Sequence, residues 1–132
     1  FIGSPRMNFL PGHVSGGDVV LDAGPRMRFL ADGPGWSEGA DVKVGVRPEH
    51  LIPGTGGAFQ VEARVDVVEN LGGTRYIYGS LPGGHNIIAE TRDPRPPQTG
   101  STVTLCAAPE FLLAFDAEGN RLQGKLGMRA AA

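Results

Sequence analysis

Phe59-Gln60-Val61-Glu62-Ala63-Arg64-Val65-Asp66-Val67-Val68-Glu69-Asn70 is the stretch that decides the fold. From Phe59 to Val67 every second residue is apolar, with Gln, Glu, Arg and Asp between. That is the period of a strand with one face in a core and the other in water. At Val67-Val68 two apolar residues adjoin and the alternation slips by one, which marks a bulge or bend. A long, bent strand is what a small barrel requires.

The same period extends in both directions. Val42, Val44 and Val46 alternate with Asp41, Lys43 and Gly45, and further strands are expected at Val19 to Leu21, Met27 to Leu30, Arg75 to Leu81, Asn86 to Thr91 and Thr102 to Ala107. Between them lie turn residues: Ser15-Gly16-Gly17-Asp18, Ala23-Gly24-Pro25, Gly72-Gly73, Pro82-Gly83-Gly84 and Ala117-Glu118-Gly119-Asn120. The count is seven or eight short strands. Asp93-Pro94-Arg95-Pro96-Pro97 cannot be a central strand and is expected as an extended surface connection. Helix is minimal, with single turns at Pro48 to Leu51 and Pro109 to Leu113, each opened by a proline where a helix tolerates it best. The tail from Gly124 is expected to fray. The fold class is all-β: an antiparallel barrel, or a pair of small intertwined barrels of the oligonucleotide/oligosaccharide-binding (OB) kind, with a sandwich as the alternative.

Composition agrees. The 132 residues make one domain, and a quarter of them are Val, Ile, Leu or Phe, enough to build a core. With Gly 21 and Pro 11 and no collagen period, the backbone must turn often, which favours short strands. The net charge is -2 and no block of Lys or Arg exists, so a nucleic-acid footprint is not supported. Tyr76 and Tyr78 share a strand face beside Arg75, but cross-strand pairing explains them better than base stacking. Cys106 is the one cysteine, which forbids an intrachain disulfide and fits a reducing compartment; its apolar neighbours suggest a buried, inert thiol. No apolar run approaches the roughly 20 residues of a membrane-spanning helix.

Catalytic signatures are missing. A phosphate-binding loop needs Gly-x-x-x-x-Gly-Lys-Ser/Thr, and Lys43 and Lys125 are followed by Val44 and Leu126. Val14-Ser15-Gly16-Gly17-Asp18 leads into Val19-Val20-Leu21, so it reads as a hairpin turn and not as a loop opening a helix against a nucleotide. His13, His50 and His85 sit singly, without a partner at zinc-ligand spacing. No serine lies in a Gly-x-Ser-x-Gly elbow. Neither a catalytic nor a metal site is expected, and no cofactor in these residues.

One dense constellation remains, Gly45-Val46-Arg47-Pro48-Glu49-His50-Leu51. Arg47 ends a strand, Pro48 holds it extended, and Glu49 is expected to pair with it across the turn. The residues leave two readings open: a strand-ending cap, or an Arg fork and a carboxylate that grip another protein. Two glycine pairs, Gly72-Gly73 and Gly83-Gly84, raise the alternative of amides presented to an oxyanion or sugar.

The chain opens Phe1-Ile2-Gly3-Ser4-Pro5-Arg6-Met7-Asn8-Phe9-Leu10, apolar residues around a turn that are expected to pack on something. This run resembles the FIGSPxMNFL stretch of ABC importer ATPase subunits of the maltose and glycerol-3-phosphate type. Gly45 to Leu51 is similar to their G(I/V)RPEHL motif, Val67-Val68-Glu69-Asn70-Leu71-Gly72 to VVExLG, and Phe115 to Leu122 to the closing FDxxTGxxL. Glu118-Gly119-Asn120 departs from the last by lacking Thr-Gly.

The resemblance covers nearly the whole chain. It implies a TOBE-type regulatory barrel whose full-length parent couples ATP hydrolysis to import of a sugar or glycerol 3-phosphate. ATP and Mg would then belong to a missing nucleotide-binding domain. Residues 1–12 would be the joint to it, through Ser4, Pro5, Met7 and Asn8; 13–123 the barrel, and 124–132 a flexible tail. Arg47, Pro48, Glu49, Glu69, Gly72 and Gly73 are the candidate interaction or structural residues. Implied partners are the parent's own nucleotide-binding domain, a second copy of the subunit, the membrane subunits and a regulatory protein, at the inner face of the cell membrane. Phe1 and Ile2 are expected to be anchored on the barrel or disordered.

Overall fold

A computed structural model describes residues 6–31, 37–57, 59–122 and 124–127. Its elements are β1 (Asn8–Ser15), β2 (Asp18–Leu21), β3 (Arg26–Ala31), β4 (Asp41–Val46), a 3-10 turn at Pro48–His50, β5 (Ile52–Pro53), β6 (Phe59–Asn70), β7 (Arg75–Ser80), β8 (Asn86–Thr91), β9 (Thr102–Ala107), a second 3-10 turn at Pro109–Phe111, β10 (Leu113–Asp116), β11 (Arg121–Leu122) and β12 (Gly124–Gly127). They form two antiparallel sheets, ordered β11-β10-β4-β1-β2-β3-β12 and β5-β9-β6-β7-β8.

The strands read from alternation are present, and the slip near Val67 is a register shift between Val65 and Val67 where β6 meets β7. Inward residues of β6 behave as the pattern requires: Phe59, Val61, Ala63 and Val65 are buried and the charged residues between them are exposed. One continuous core joins them to Leu10, Val14, Val19, Leu21 and Met27 of the first sheet. The Gly16-Gly17 turn takes positive φ at both residues, 60° and 83°, and joins β1 to β2 with Ser15 opposite Asp18. Two successive residues with positive φ twist with the strands, and glycine reaches that region without strain.

Three boundaries differ from expectation. Residues 8–12, expected within the joint, form the first part of β1, a central strand. Pro11 fits there because β2 ends at Leu21, opposite Gly12: Pro11 lies one residue past that end of the ladder, where its missing N–H leaves no ladder bond unmade, and its carbonyl accepts from Asp22 N–H at 2.9 Å. Gly124–Gly127, expected to belong to the tail, pairs with β3 as an edge strand, and residues 128–132 lie outside the described residues. Among the described residues twelve strands replace seven or eight, because β1, β5, β10, β11 and β12 are too short or too rich in Gly and Pro to show a period.

The two sheets are tied by reciprocal crossovers. β4 lies in the first sheet, and the turn after it delivers β5 to β9 in the second; β9 lies in the second, and its turn delivers β10 to β4 in the first. Each sheet therefore holds four consecutive strands of its own, β1–β4 or β6–β9, and takes in chain from beyond the other's crossover: β10, β11 and β12 in the first, β5 in the second. In the second, Glu90 N–H of β8 donates to Leu51 O, one residue before β5, at 3.2 Å, drawing the sheet's two edges together. A pair of intertwined barrels is the architecture observed.

Candidate functional site

Arg47-Pro48-Glu49-His50-Leu51 and Ala108-Pro109-Glu110-Phe111-Leu112 are two copies of one local structure. In each, the residue before proline is extended, Arg47 at φ -74, ψ 146 and Ala108 at φ -74, ψ 150, as the proline ring demands. Proline then starts a 3-10 turn: His50 N–H donates to Arg47 O at 2.9 Å and Phe111 N–H to Ala108 O at 3.1 Å. Leu51 and Leu112 close the turns by entering the core. The two aromatic positions meet, His50 stacking on Phe111 with ring centroids 3.8 Å apart and planes 15° apart. Sequence reading placed a turn at both prolines but missed the repeat, whose signal is Pro-Glu-aromatic-Leu occurring twice.

The expected Arg47–Glu49 ion pair is absent; among the described residues the ion pair is Arg26–Asp18, at 2.7 Å. A 3-10 turn has three residues per turn, so side chains two apart leave from different faces. Arg47 and Glu49 are both exposed while Pro48 is buried. Glu49, His50 and Phe111 border a groove of about 300 Å³ together with Ile52, Gly57 and Cys106. Cys106 is thus half-buried at the groove and not sealed in the core. It pairs with Ile52 in register, and its side chain points away from the inward residues Leu105 and Ala107.

Glu69, Gly72 and Gly73 belong to a different place, the β6–β7 hairpin. Glu69 accepts from the Tyr78 hydroxyl at 3.2 Å, and partial burial followed by the Glu69 carboxylate pushes the Tyr78 phenol above its usual pKa. Gly72 has φ 85°, and its N–H donates to Asn70 Oδ1 at 3.0 Å. Gly84 N–H donates to Leu81 O at 2.9 Å. The Gly72 and Gly84 amides are thus engaged within their own hairpins. The closing turn is likewise structural: the Asp116 carboxylate accepts from Glu118 N–H at 3.0 Å and Asn120 N–H at 2.8 Å. Those bonds, Asn120 foremost, hold its pKa below the usual carboxylate value. Asn120 also donates from its own amide to that carboxylate, so the turn closes without Thr.

Of the joint residues, Ser4 and Pro5 lie outside the described residues. Met7 covers Gly45: a Cβ added there would lie 2.7 Å from Met7 Sδ and 2.9 Å from the Phe115 ring. Asn8 is a clamp between the sheets. Its Nδ2 donates to Val46 O at 3.0 Å and to Ile88 O at 2.8 Å, and its Oδ1 accepts from Ile88 N–H at 2.7 Å. The carboxamide thus imitates a strand bridging to the open edge of β8, satisfying backbone groups that an edge leaves bare. Among the described residues no three His, Cys, Asp or Glu come together to hold a metal ion, and no helix is long and apolar enough to cross a membrane.

Residues 44–115 match the family described as the TOBE domain. The chain belongs to the TOBE domain family. Residues 3–51 of this TOBE chain also match the MalK OB fold domain, and the two matches overlap across the end of β4 and the first crossover. The lactose transport ATP-binding protein LacK of Rhizobium radiobacter is 40% identical over 131 residues, covering 93% of this chain and 36% of that protein. The sn-glycerol-3-phosphate import ATP-binding protein UgpC of Chromobacterium violaceum is 36% identical over 123 residues, covering 92% of this chain and 33% of that protein. The chain thus spans about a third of the length of these relatives. Among solved structures, the cytoplasmic molybdate-binding protein ModG with molybdate bound shares the fold, with TM-score 0.62 at 14% identity over 92% of this chain and 96% of that one.

Proposed function

We propose that these residues form the regulatory and dimerising domain of the ATP-binding subunit of an importer for a sugar or glycerol 3-phosphate. The observation that carries this reading is the 40% identity over 93% of the chain to the ATP-binding protein of a lactose transporter. The TOBE chain contributes no ATP chemistry in this reading. In support of this reading, Lys43 lies mid-strand in β4 and not in a loop that opens a helix. Hydrolysis belongs to the ATP-binding domain of the parent, which works at the inner face of the cell membrane with the membrane subunits, a second copy of itself and a regulatory protein.

The domain's contribution is mechanical. Two interlocked barrels form a body that keeps paired ATP-binding domains at high effective concentration while their nucleotide sites open. A small-effector role has weaker support, since the Gly72 and Gly84 amides are already bonded within their hairpins.

The test is a reconstituted importer whose ATP-binding subunit carries or lacks this domain. With it, the subunit is expected to hydrolyse ATP in response to transported substrate and to stay dimeric between turnovers; without it, dimers should dissociate on nucleotide release. A parent that neither binds nor hydrolyses ATP overturns the reading.

A further inference from the structure

We propose that the outward face of the first sheet, between the end of β2 and the turn after β10, binds a neutral polyhydroxylated molecule, a sugar. The place lies away from both glycine hairpins and from the two Pro-Glu turns. A cleft of about 370 Å³ opens there, within the roughly 300–1,000 Å³ usual for small-ligand sites. Its polar side chains are His13, Asp22, Asp41 and Lys43. In the β1–β4 register His13 lies beside Asp41 and Pro11 beside Lys43, and residues two apart on a strand leave the same face. Asp22 N–H donates to Pro11 O at 2.9 Å, which holds Asp22 at the β2 side of the cleft. Ala117, just after β10, bounds the other side.

Two observations select the ligand. The first is that these four groups are left unengaged. Among the described residues none of the four side chains makes a hydrogen bond or an ion pair. Charged groups on the neighbouring elements are used: Arg26 pairs with Asp18, Glu38 accepts from Gly16 N–H, and Asp116 accepts from Glu118 and Asn120 N–H. Lys43 thus closes on neither Asp41 nor Asp22, although all three line one cleft. Opposite charges held apart in this way leave a gap that hydroxyl groups can span, as water does in their absence.

The second observation is the balance of sign. Asp22, Asp41 and exposed Glu118 beside Ala117 stand against Lys43 and against Arg121, which lies across Phe115 from Lys43. An anion such as glycerol 3-phosphate would meet the carboxylates, and a cation would meet the ammonium and guanidinium groups. A neutral molecule avoids both repulsions if it offers donors and acceptors together. Vicinal hydroxyls do so, because one oxygen donates to a carboxylate while accepting from Lys43. Neutral His13 donates from one ring nitrogen and accepts at the other, so it serves either neighbour. Pro11 and Ala117 supply apolar contact for the C–H face of a sugar ring. An extended peptide fits less well, since the cleft crosses β4-β1-β2 in the middle of the sheet and offers no open strand edge.

Amide chemical shifts of the isotope-labelled chain, titrated with lactose, maltose and glucose, test this. At least one of the three is expected to shift the Gly12, His13, Asp22 and Lys43 amides saturably, leaving those of Gly72 and Gly84 unmoved. Asp41→Asn combined with Lys43→Gln, both at exposed positions, should keep the native spectrum. It should weaken that binding roughly tenfold or more, because a hydrogen bond to a charged group is worth at least that factor. No saturable shift with any of the three sugars overturns the proposal, as do linear shifts that match those given by glycerol. Inorganic phosphate or glycerol 3-phosphate binding as tightly as the sugars overturns the neutral ligand. Undiminished binding by the double variant overturns the site. The site stands apart from the importer reading: a chain that binds a sugar here while its parent hydrolyses no ATP keeps the one and loses the other.

Discussion

The two barrels share a frame but differ at equivalent places, and the difference separates what folds the domain from what it presents. Val46 and Ala107 each end a strand just before a crossover, and the residue paired with them is Asn8 in the first barrel and Phe59 in the second. Phe59 is fully buried in the core; Asn8 is buried too, but reaches across to Ile88 of the other barrel. One position before them, Gly45 is covered by Met7 and Phe115, whereas Cys106 looks into an open groove. The frame is thus set by the crossovers, while the residues at matched positions decide whether a barrel packs, clamps or exposes a face.

The largest effect expected from breaking this comparison is at Phe59. Phe59→Ala should cost about 3–5 kcal/mol in urea denaturation, because a fully buried ring leaves a cavity. Asn8→Leu removes a carboxamide that serves three backbone groups, and each buried group left unpaired costs about 1–3 kcal/mol. A loss near the middle of that range is expected, with faster hydrogen exchange at the Ile88 amide; unchanged exchange there would show that the clamp is ornamental. Phe111→Ala, which deletes the ring stacked on His50 at a partly exposed site, should cost about 1 kcal/mol by the same denaturation measurement.

The smallest effect depends on pH. The Asp116 pKa is lowered in the folded state, so the turn it closes is stabilised above the ordinary carboxylate pKa and loses that support as pH falls through the lowered value. Hydrogen exchange at the Glu118 and Asn120 amides should therefore accelerate, beyond the intrinsic trend, on acidification below about pH 4. In Asp116→Ala the same amides should exchange fast at every pH.

Much of this fold is legible in the sequence for a stated reason. β4, β6, β8 and β9 each keep one face in the core, so alternation marks them, and the slip at Val67 marks the register shift. β1 is hidden because Pro11 and Gly12 interrupt the pattern; the register with Leu21 that accommodates both exists only in three dimensions, where a Cβ at Gly12 would lie 2.6 Å from Val20 O. The crossovers are hidden differently. Periodicity says that Leu113 to Asp116 is short and apolar, but not that it leaves one sheet for the other. Pro48 and Glu49 were legible as a turn, and the His50–Phe111 stack was not, because it joins residues far apart in the chain.

The central structural claim is that the strands exchanged at the two crossovers make the two barrels one cooperative body. Native-state hydrogen exchange across a denaturant series tests it by following amides of β2 in the first barrel and β7 in the second. The account predicts that the most protected amides of both strands converge on a single opening free energy, that of global unfolding. If β2 opens at markedly lower free energy while β7 stays protected, or the reverse, the barrels are independent and the claim is wrong.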